Sequence, residues 1–167
     1  MKKMTEENLK SAFAGESQAH MRYLIFADKA EQEKKNNVAR LFRSIAHAEE
    51  IHATNHFRTM EGIHPTAENL EAAIGGETFE VEEMYPAYKS VADLQEEKGA
   101  QRSITWAFET EKVHQELYRR AKEAIALGED LQIGDIYICG ACGFTLEGQL
   151  PDKCPLCGAS SSRFSKF

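Results

Sequence analysis

The sequence predicts an all-α four-helix bundle followed by a small, separate C-terminal β domain. Between residues 5 and 127, apolar residues recur at three- and four-residue intervals, which is the period of an amphipathic helix. From residue 133 the chain instead has Gly, Pro and aromatic punctuation and holds all four cysteines. With 167 residues and 42% hydrophobic content, the chain can bury one bundle core and support a small appendage. We therefore expect domains at 1–132 and 133–167.

The first two helices are expected to turn charged side chains toward the core. The first runs from about Thr5 to Lys35, and its apolar stripe includes Glu16. The second runs from about Asn37 to Glu61, and both Glu49 and His52 lie on its apolar stripe. These positions would ordinarily hold leucine, so the polar residues there need a function.

The second pair of helices repeats this arrangement. A connection over 63–76, with a short helix ended by Gly75 and Gly76, leads into a third helix that reaches about Lys98. The third helix carries two inward carboxylates, and a proline is expected to kink it beside them: Glu80, Glu83 and Pro86. The fourth helix, from about Ala100 to Leu127, has Glu111 and His114 on its inner stripe. Each pair of helices thus has the same order: a helix with an inward Glu is followed by a helix with a Glu-x-x-His pair.

This pattern indicates a dinuclear metal site inside the bundle. A Glu from each of two helices and a Glu-x-x-His pair from each of the other two is the ligand set of ferritin-like carboxylate bundles. Several unpaired carboxylates in a core would each cost several kcal/mol, whereas two divalent cations would compensate them. The alternative is that these glutamates are solvated surface residues, as most glutamates are. A third match, Glu61 to His64, precedes Pro65 at an expected helix end and is set aside.

The cysteines indicate a second metal site. Two Cys-x-x-Cys knuckles can place four thiolates around one tetrahedral Zn or Fe ion: Cys139, Cys142, Cys154 and Cys157. The cysteine spacing alone makes zinc and iron nearly equally good candidates for this site. Iron is favoured by context, because a redox-active dinuclear site needs an electron source and zinc cannot be one.

Taken together, the motifs resemble those of the rubrerythrin family over essentially the whole chain. The stretches that carry the resemblance are Gly15-Glu16-Ser17-Gln18-Ala19, Ala48-Glu49-Glu50-Ile51-His52, Glu80-Val81-Glu82-Glu83-Met84-Tyr85-Pro86, Glu111-Lys112-Val113-His114 and the rubredoxin-like Tyr137-Ile138-Cys139. The resemblance implies a ferritin-like diiron bundle with a rubredoxin-like iron domain. It also implies NAD(P)H-linked reduction of hydrogen peroxide to water, with electrons supplied by a reductase or rubredoxin through the cysteine-bound iron.

The resemblance also implies roles for individual residues. Glu49 and Glu111 would bridge the two irons. One iron would bind Glu16 and Glu83, with His52 replacing Glu83 on reduction, and the other would bind Glu80 and His114. Two other functions use the same residues: a ferroxidase or oxygen-reducing diiron protein, and a zinc-ribbon interaction module on a helical bundle.

Composition restricts the partners. The net charge of −7 opposes nucleic acid, and no apolar run reaches the roughly 20 residues of a membrane span, so we expect a cytoplasmic protein that binds neither. We also expect a homodimer or higher homo-oligomer, with helix exchange across the 63–76 connection possible on steric grounds. About 21 Å of helix separates His114 from Gly128, at roughly 1.5 Å per residue. A tail docked at its own helix end would therefore be remote, which favours electron transfer between chains.

Overall fold

The computed structural model describes residues 1–167 and divides into two compact units, 1–64 and 65–167. The predicted combination of long helices with a small cysteine-bearing strand region is confirmed. None of the helices combines the length and the apolar character needed to cross a bilayer.

The first unit is a hairpin of two long helices. α1 spans Lys3–Gln32 and α2 spans Asn36–Thr59, and Lys34 in the turn between them has a φ of 58°. The layer buried between the helices consists of alanines: Ala19, Ala27, Ala30, Ala39, Ala46 and Ala53. Small side chains let two helices approach closely. The bulkier apolar residues of the hairpin, such as Leu41 and Ile45, therefore lie outside this layer and are 60% and 41% exposed.

The second unit begins with a helical pair. α3 spans Thr66–Phe79, a π-helical segment covers Glu80–Met84, and α4 continues over Tyr85–Leu94. α5 spans Lys98–Ala126 and packs against α3 and α4. The side-chain amide of Gln115 on α5 is buried and donates to the Thr78 hydroxyl on α3 at 2.7 Å.

Two expectations about the third helix need correction. The helix does not break at Gly75 and Gly76, because α3 runs through both residues, and the connection after α2 covers only 60–65. A mid-helix glycine costs about 1 kcal/mol relative to alanine, which packing can offset. The irregularity expected near Pro86 takes the form of the π-helical segment, where the Tyr85 N–H donates to the carbonyl of Glu80, five residues earlier.

The tail forms a three-stranded antiparallel sheet. β1 spans Ile136–Cys139, β2 spans Thr145–Glu147 and β3 spans Phe164–Lys166, in the order β2-β1-β3. Cys139 is the last residue of β1 and Cys142 follows in the turn, whereas Cys154 and Cys157 lie between β2 and β3.

Candidate metal centres

The four cysteine thiols form a tetrahedron of the size that a metal requires. Sγ of Cys139 lies 3.7 Å from Sγ of Cys157, and Sγ of Cys142 lies 3.6 Å from Sγ of Cys154. Metal–sulfur bonds of about 2.3 Å in a tetrahedron give S–S edges of about 3.8 Å. The spacing therefore fits one four-coordinate Zn or Fe ion rather than two disulfides.

Backbone N–H groups at the knuckles favour thiolates. Burial opposes ionisation of Cys139, but hydrogen bonds from the N–H groups of Ala141 and Cys142 lower the pKa of its thiol to about 7. The N–H of Phe144 donates to the Cys142 sulfur, although burial raises the pKa of that thiol overall. Gly143 follows the first knuckle with a φ of 83°, a left-handed conformation that glycine adopts without strain.

A carboxylate and histidine cluster lies within the α1–α2 hairpin. Glu16, Glu49 and His52 can bring one ligand atom each within 4.8 Å of one another. Nδ1 of His52 lies 2.9 Å from Oε2 of Glu49, because residues three apart are neighbours on a helix surface. All three belong to the set predicted from the sequence.

A matching cluster lies in the second unit. It consists of Glu77, Glu111 and His114, again with ligand atoms within 4.8 Å of one another. Nδ1 of His114 lies 2.6 Å from Oε2 of Glu111. Burial, the charge of Glu111 and a hydrogen bond with it raise the pKa of Glu77 to about 7. Crowded carboxylates of this kind are what a divalent cation would compensate.

Glu77 is the residue that the sequence interpretation missed. Burial, and then the charge of Glu111, raise the pKa of Glu80, so this carboxylate faces the same cluster from its edge. Glu83 is exposed and does not belong to the cluster. The π-helical segment accounts for this, because its wider turn means that three-residue spacing no longer brings Glu80 and Glu83 to one face. The Glu-x-x-Glu spacing of Glu77 and Glu80 could have revealed this pair of carboxylates.

Tyr85 is the tyrosine that faces the carboxylates. Burial raises the pKa of its phenol, and the charges of Glu80, Glu111 and Glu77 raise it further. Tyr23 packs near Phe26 and Phe42, and the ring of Tyr88 meets the edge of Tyr85.

The cysteine domain docks beside the second cluster. Oγ1 of Thr145, on β2, lies 2.8 Å from Nε2 of His114. Two residues further along β2, Oε2 of Glu147 lies 2.6 Å from Nη1 of Arg120 on α5. The distance argument for electron transfer between chains therefore does not hold, because the chain turns back along α5 and the tail contacts His114.

Known proteins share both parts of this chain. The family model Rubrerythrin matches residues 7–122, and the model Rubrerythrin, rubredoxin-like domain matches residues 137–165. The chain is 40% identical to Rubrerythrin-2 of Clostridium acetobutylicum, with 98% of this chain and 97% of the relative covered. It is 32% identical to Nigerythrin of Nitratidesulfovibrio vulgaris, with 98% and 86% covered. A structure of partially reduced nigerythrin is similar to the chain, with a TM-score of 0.55, 31% identity, and 98% of this chain and 86% of that chain covered.

Proposed function

The chain belongs to the rubrerythrin family of diiron proteins, and from that premise we propose that it reduces hydrogen peroxide to water in defence against oxidative stress. The reaction consumes two electrons and two protons for each peroxide and yields two waters. We propose that the electrons come from an NAD(P)H-linked reductase or a rubredoxin and pass through the four-cysteine iron. We further propose that this takes place in the cytoplasm.

Each cluster offers proposed ligands for iron. We assign Glu16, Glu49 and His52 from one and Glu77, Glu111 and His114 from the other, with Glu80 at its edge and without Glu83. Two irons held by these residues would each supply one electron to a bound peroxide. The carboxylates balance the cation charge, and the two imidazoles offer neutral nitrogen ligands. We further propose that His52 replaces a carboxylate ligand of one iron on reduction.

One observation favours a peroxidase with its own electron donor over a ferroxidase. The cysteine domain contacts the His114 imidazole directly through Thr145, at 2.8 Å. An iron-storage protein has no need for an electron donor at that position. An enzyme that reduces peroxide, in contrast, must receive two electrons at its metal site after every turnover. The contact therefore supports peroxide reduction over the ferroxidase alternative.

We also propose that the protein acts as a homodimer or larger homo-oligomer. The α1–α2 hairpin exposes several large apolar residues in the single chain: Met21, Ile25, Phe26, Val38, Leu41, Ile45 and Ile51. So many exposed large apolar side chains on one helix pair are unusual for a monomer. A second copy, with or without exchange of the hairpin across 60–65, would cover it.

The test uses iron-loaded protein that has been fully reduced without oxygen. We expect one equivalent of peroxide to oxidise the two bundle irons much faster than one equivalent of dissolved oxygen does, as followed by stopped-flow absorbance. Steady-state NADPH consumption with an added reductase should then depend on peroxide. A faster reaction with oxygen, or oxidised iron retained as a mineral, would instead support the ferroxidase.

A further inference from the structure

We infer that Thr145 is a positioning residue that ties His114 to the cysteine site of the same chain, so that the two kinds of metal site communicate within one chain. The inference rests on the proposed function, because only an electron-consuming bundle site needs such a connection. It concerns a hydroxyl that lies outside both sets of metal ligands.

The hydrogen bonds around Thr145 fit one arrangement of protons. Nδ1 of His114 faces the Glu111 carboxylate at 2.6 Å, so it is the ring nitrogen available to a metal. A nitrogen that binds metal carries no proton, which leaves the imidazole proton on Nε2. The Nε2–H then donates to Oγ1 of Thr145 at 2.8 Å, and the Thr145 hydroxyl donates to the Gly143 carbonyl at 3.3 Å.

Burial makes this hydroxyl hard to replace. Thr145 is only 3% exposed, so water has little access to its position. A side chain without the hydroxyl would leave the Nε2–H without its partner, and a buried donor without a partner is destabilising. Thr145 therefore holds both the proton position and the orientation of the His114 ring.

Thr145 also completes a connected route between the two sites. The Cys142 sulfur accepts a hydrogen bond from the N–H of Phe144, and Phe144 is covalently joined to Thr145. The Thr145 hydroxyl then meets His114. With iron bound, this route would connect the four cysteines to the metal held by His114: the ferrous ion of the cysteine site would be oxidised to ferric and a ferric ion of the bundle reduced to ferrous, with no bond made or broken. The reductase of the proposed function restores the ferrous state.

Two substitutions distinguish the effect of losing the Thr145 hydroxyl from the effect of displacing the tail. Thr145→Val keeps the shape of the side chain and removes both hydrogen bonds, whereas Thr145→Ser keeps the hydroxyl. The ion pair of Arg120 with Glu147 is independent of either change and still anchors β2 to α5. Thr110→Val is a matched control, because Thr110 is also 3% exposed but its hydroxyl bonds only to the Trp106 carbonyl within α5.

The first measurement requires no activity. In protein with zinc in all sites, ¹⁵N NMR of the imidazoles should show the His114 Nε2 proton protected from exchange with water. We expect Thr145→Val to speed that exchange by about tenfold or more, while Thr145→Ser and Thr110→Val retain the protection. Unchanged protection in Thr145→Val would overturn the positioning role.

The second measurement follows the electron in iron-loaded protein. A photochemical reductant delivers one electron to the cysteine site, and absorbance reports its transfer to the oxidised bundle site. We expect Thr145→Val to slow the transfer by about tenfold or more, the loss typical of groups that support metal ligands. Thr145→Ser should remain close to wild type. An unchanged rate in Thr145→Val would overturn the route.

Mixed oligomers test whether the route stays within one chain. One chain lacks Cys142 and Cys157, and the other lacks Glu111 and His114, so that no chain holds both ends of the route. The inference predicts no transfer in this mixture, whereas pairing wild type with a chain carrying all four changes should preserve transfer. Transfer in the first mixture would overturn the inference. Oxidation of fully reduced wild type by peroxide is measured separately, and its failure would reject the proposed function alone.

Discussion

Nη1 of Arg120 lies 2.6 Å from Oε2 of Glu147, and this ion pair joins the later part of α5 to the cysteine domain. The other carboxylate oxygen of Glu147 accepts the N–H of Gly134 at 2.8 Å, so the same residue also holds the segment that leads from the helix into β1. Because alternate residues of a strand share a face, Glu147 and Thr145 reach α5 together. Two polar contacts therefore set the position of β2 along the helix.

Replacing Arg120 with Gln should loosen the tail without emptying its metal site. The hydrogen bond and the charge of Arg120 lower the pKa of Glu147, so its contribution to stability is present above pH 4.5 and is lost as the pH falls through the depressed value. Amide hydrogen exchange should therefore show faster exchange in β2 at neutral pH for Arg120→Gln, with unchanged metal content. Equal exchange rates in the two proteins would show that the ion pair does not anchor the tail.

Fully loaded protein should contain about three irons per chain, two in the bundle and one on the cysteines. Replacing Cys142 and Cys157 together by Ser should remove one iron and the visible absorption of ferric tetrathiolate while leaving two. Elemental analysis with a visible spectrum checks both. Loss of all three irons would show that the tail site and the bundle sites are not independent.

Exchanging Glu77 for Gln should weaken metal binding in the bundle, whereas Glu83→Gln should not. Glu77 lies in the cluster with Glu111 and His114, and Glu83 is exposed outside it. Competition with a chelator should show an affinity loss of at least about tenfold for Glu77→Gln, since even outer partners of ligands have effects of this size. The reverse order of the two variants would restore Glu83 as the ligand.

The metal-free bundle should become less stable as the pH rises from about 4.5 toward 7. The folded state raises the pKa of Glu77 to about 7 from 4.5, so between these values the folded protein holds more protons than the unfolded chain. Urea unfolding followed by circular dichroism should show this trend in wild type with an empty bundle. In Glu77→Gln the decline should be smaller, and the variant should match wild type most closely near pH 4.5.

Disrupting the apolar surface of α2 should dissociate the oligomer. Leu41 is 60% exposed in the single chain, so Leu41→Glu costs little within the hairpin but places a charge in the proposed interface. Light scattering after size exclusion should report a smaller species than wild type, while the control Asn55→Glu on the same helix should not change the mass. A monomeric wild type would contradict the proposal.

Helical periodicity predicted the first cluster because Glu16, Glu49 and His52 lie in uninterrupted α-helices, where residue spacing determines the face. The same period placed Glu83 on the inner face and passed over Glu77, because nothing in a 3.6-residue repeat signals a π-helical turn. Thr145 could not be found from the sequence at all. Its contact with His114 spans 31 residues and depends on how the tail folds back, which local patterns do not encode.

The π-helical segment at Glu80–Met84 has a consequence for sequence length. Such a segment is equivalent to one extra residue inserted into an ordinary helix, so deleting a single residue there would restore α-helical hydrogen bonding. The wider turn already absorbs this extra residue, so the helix beyond it would keep its orientation relative to α3 and Tyr85 would still face the carboxylates. Deleting one residue from the regular part of α3 would instead rotate everything beyond it by about 100° and turn Tyr85 away. Homologous chains should therefore tolerate the loss of a residue within this segment far better than the loss of a residue elsewhere in the helix.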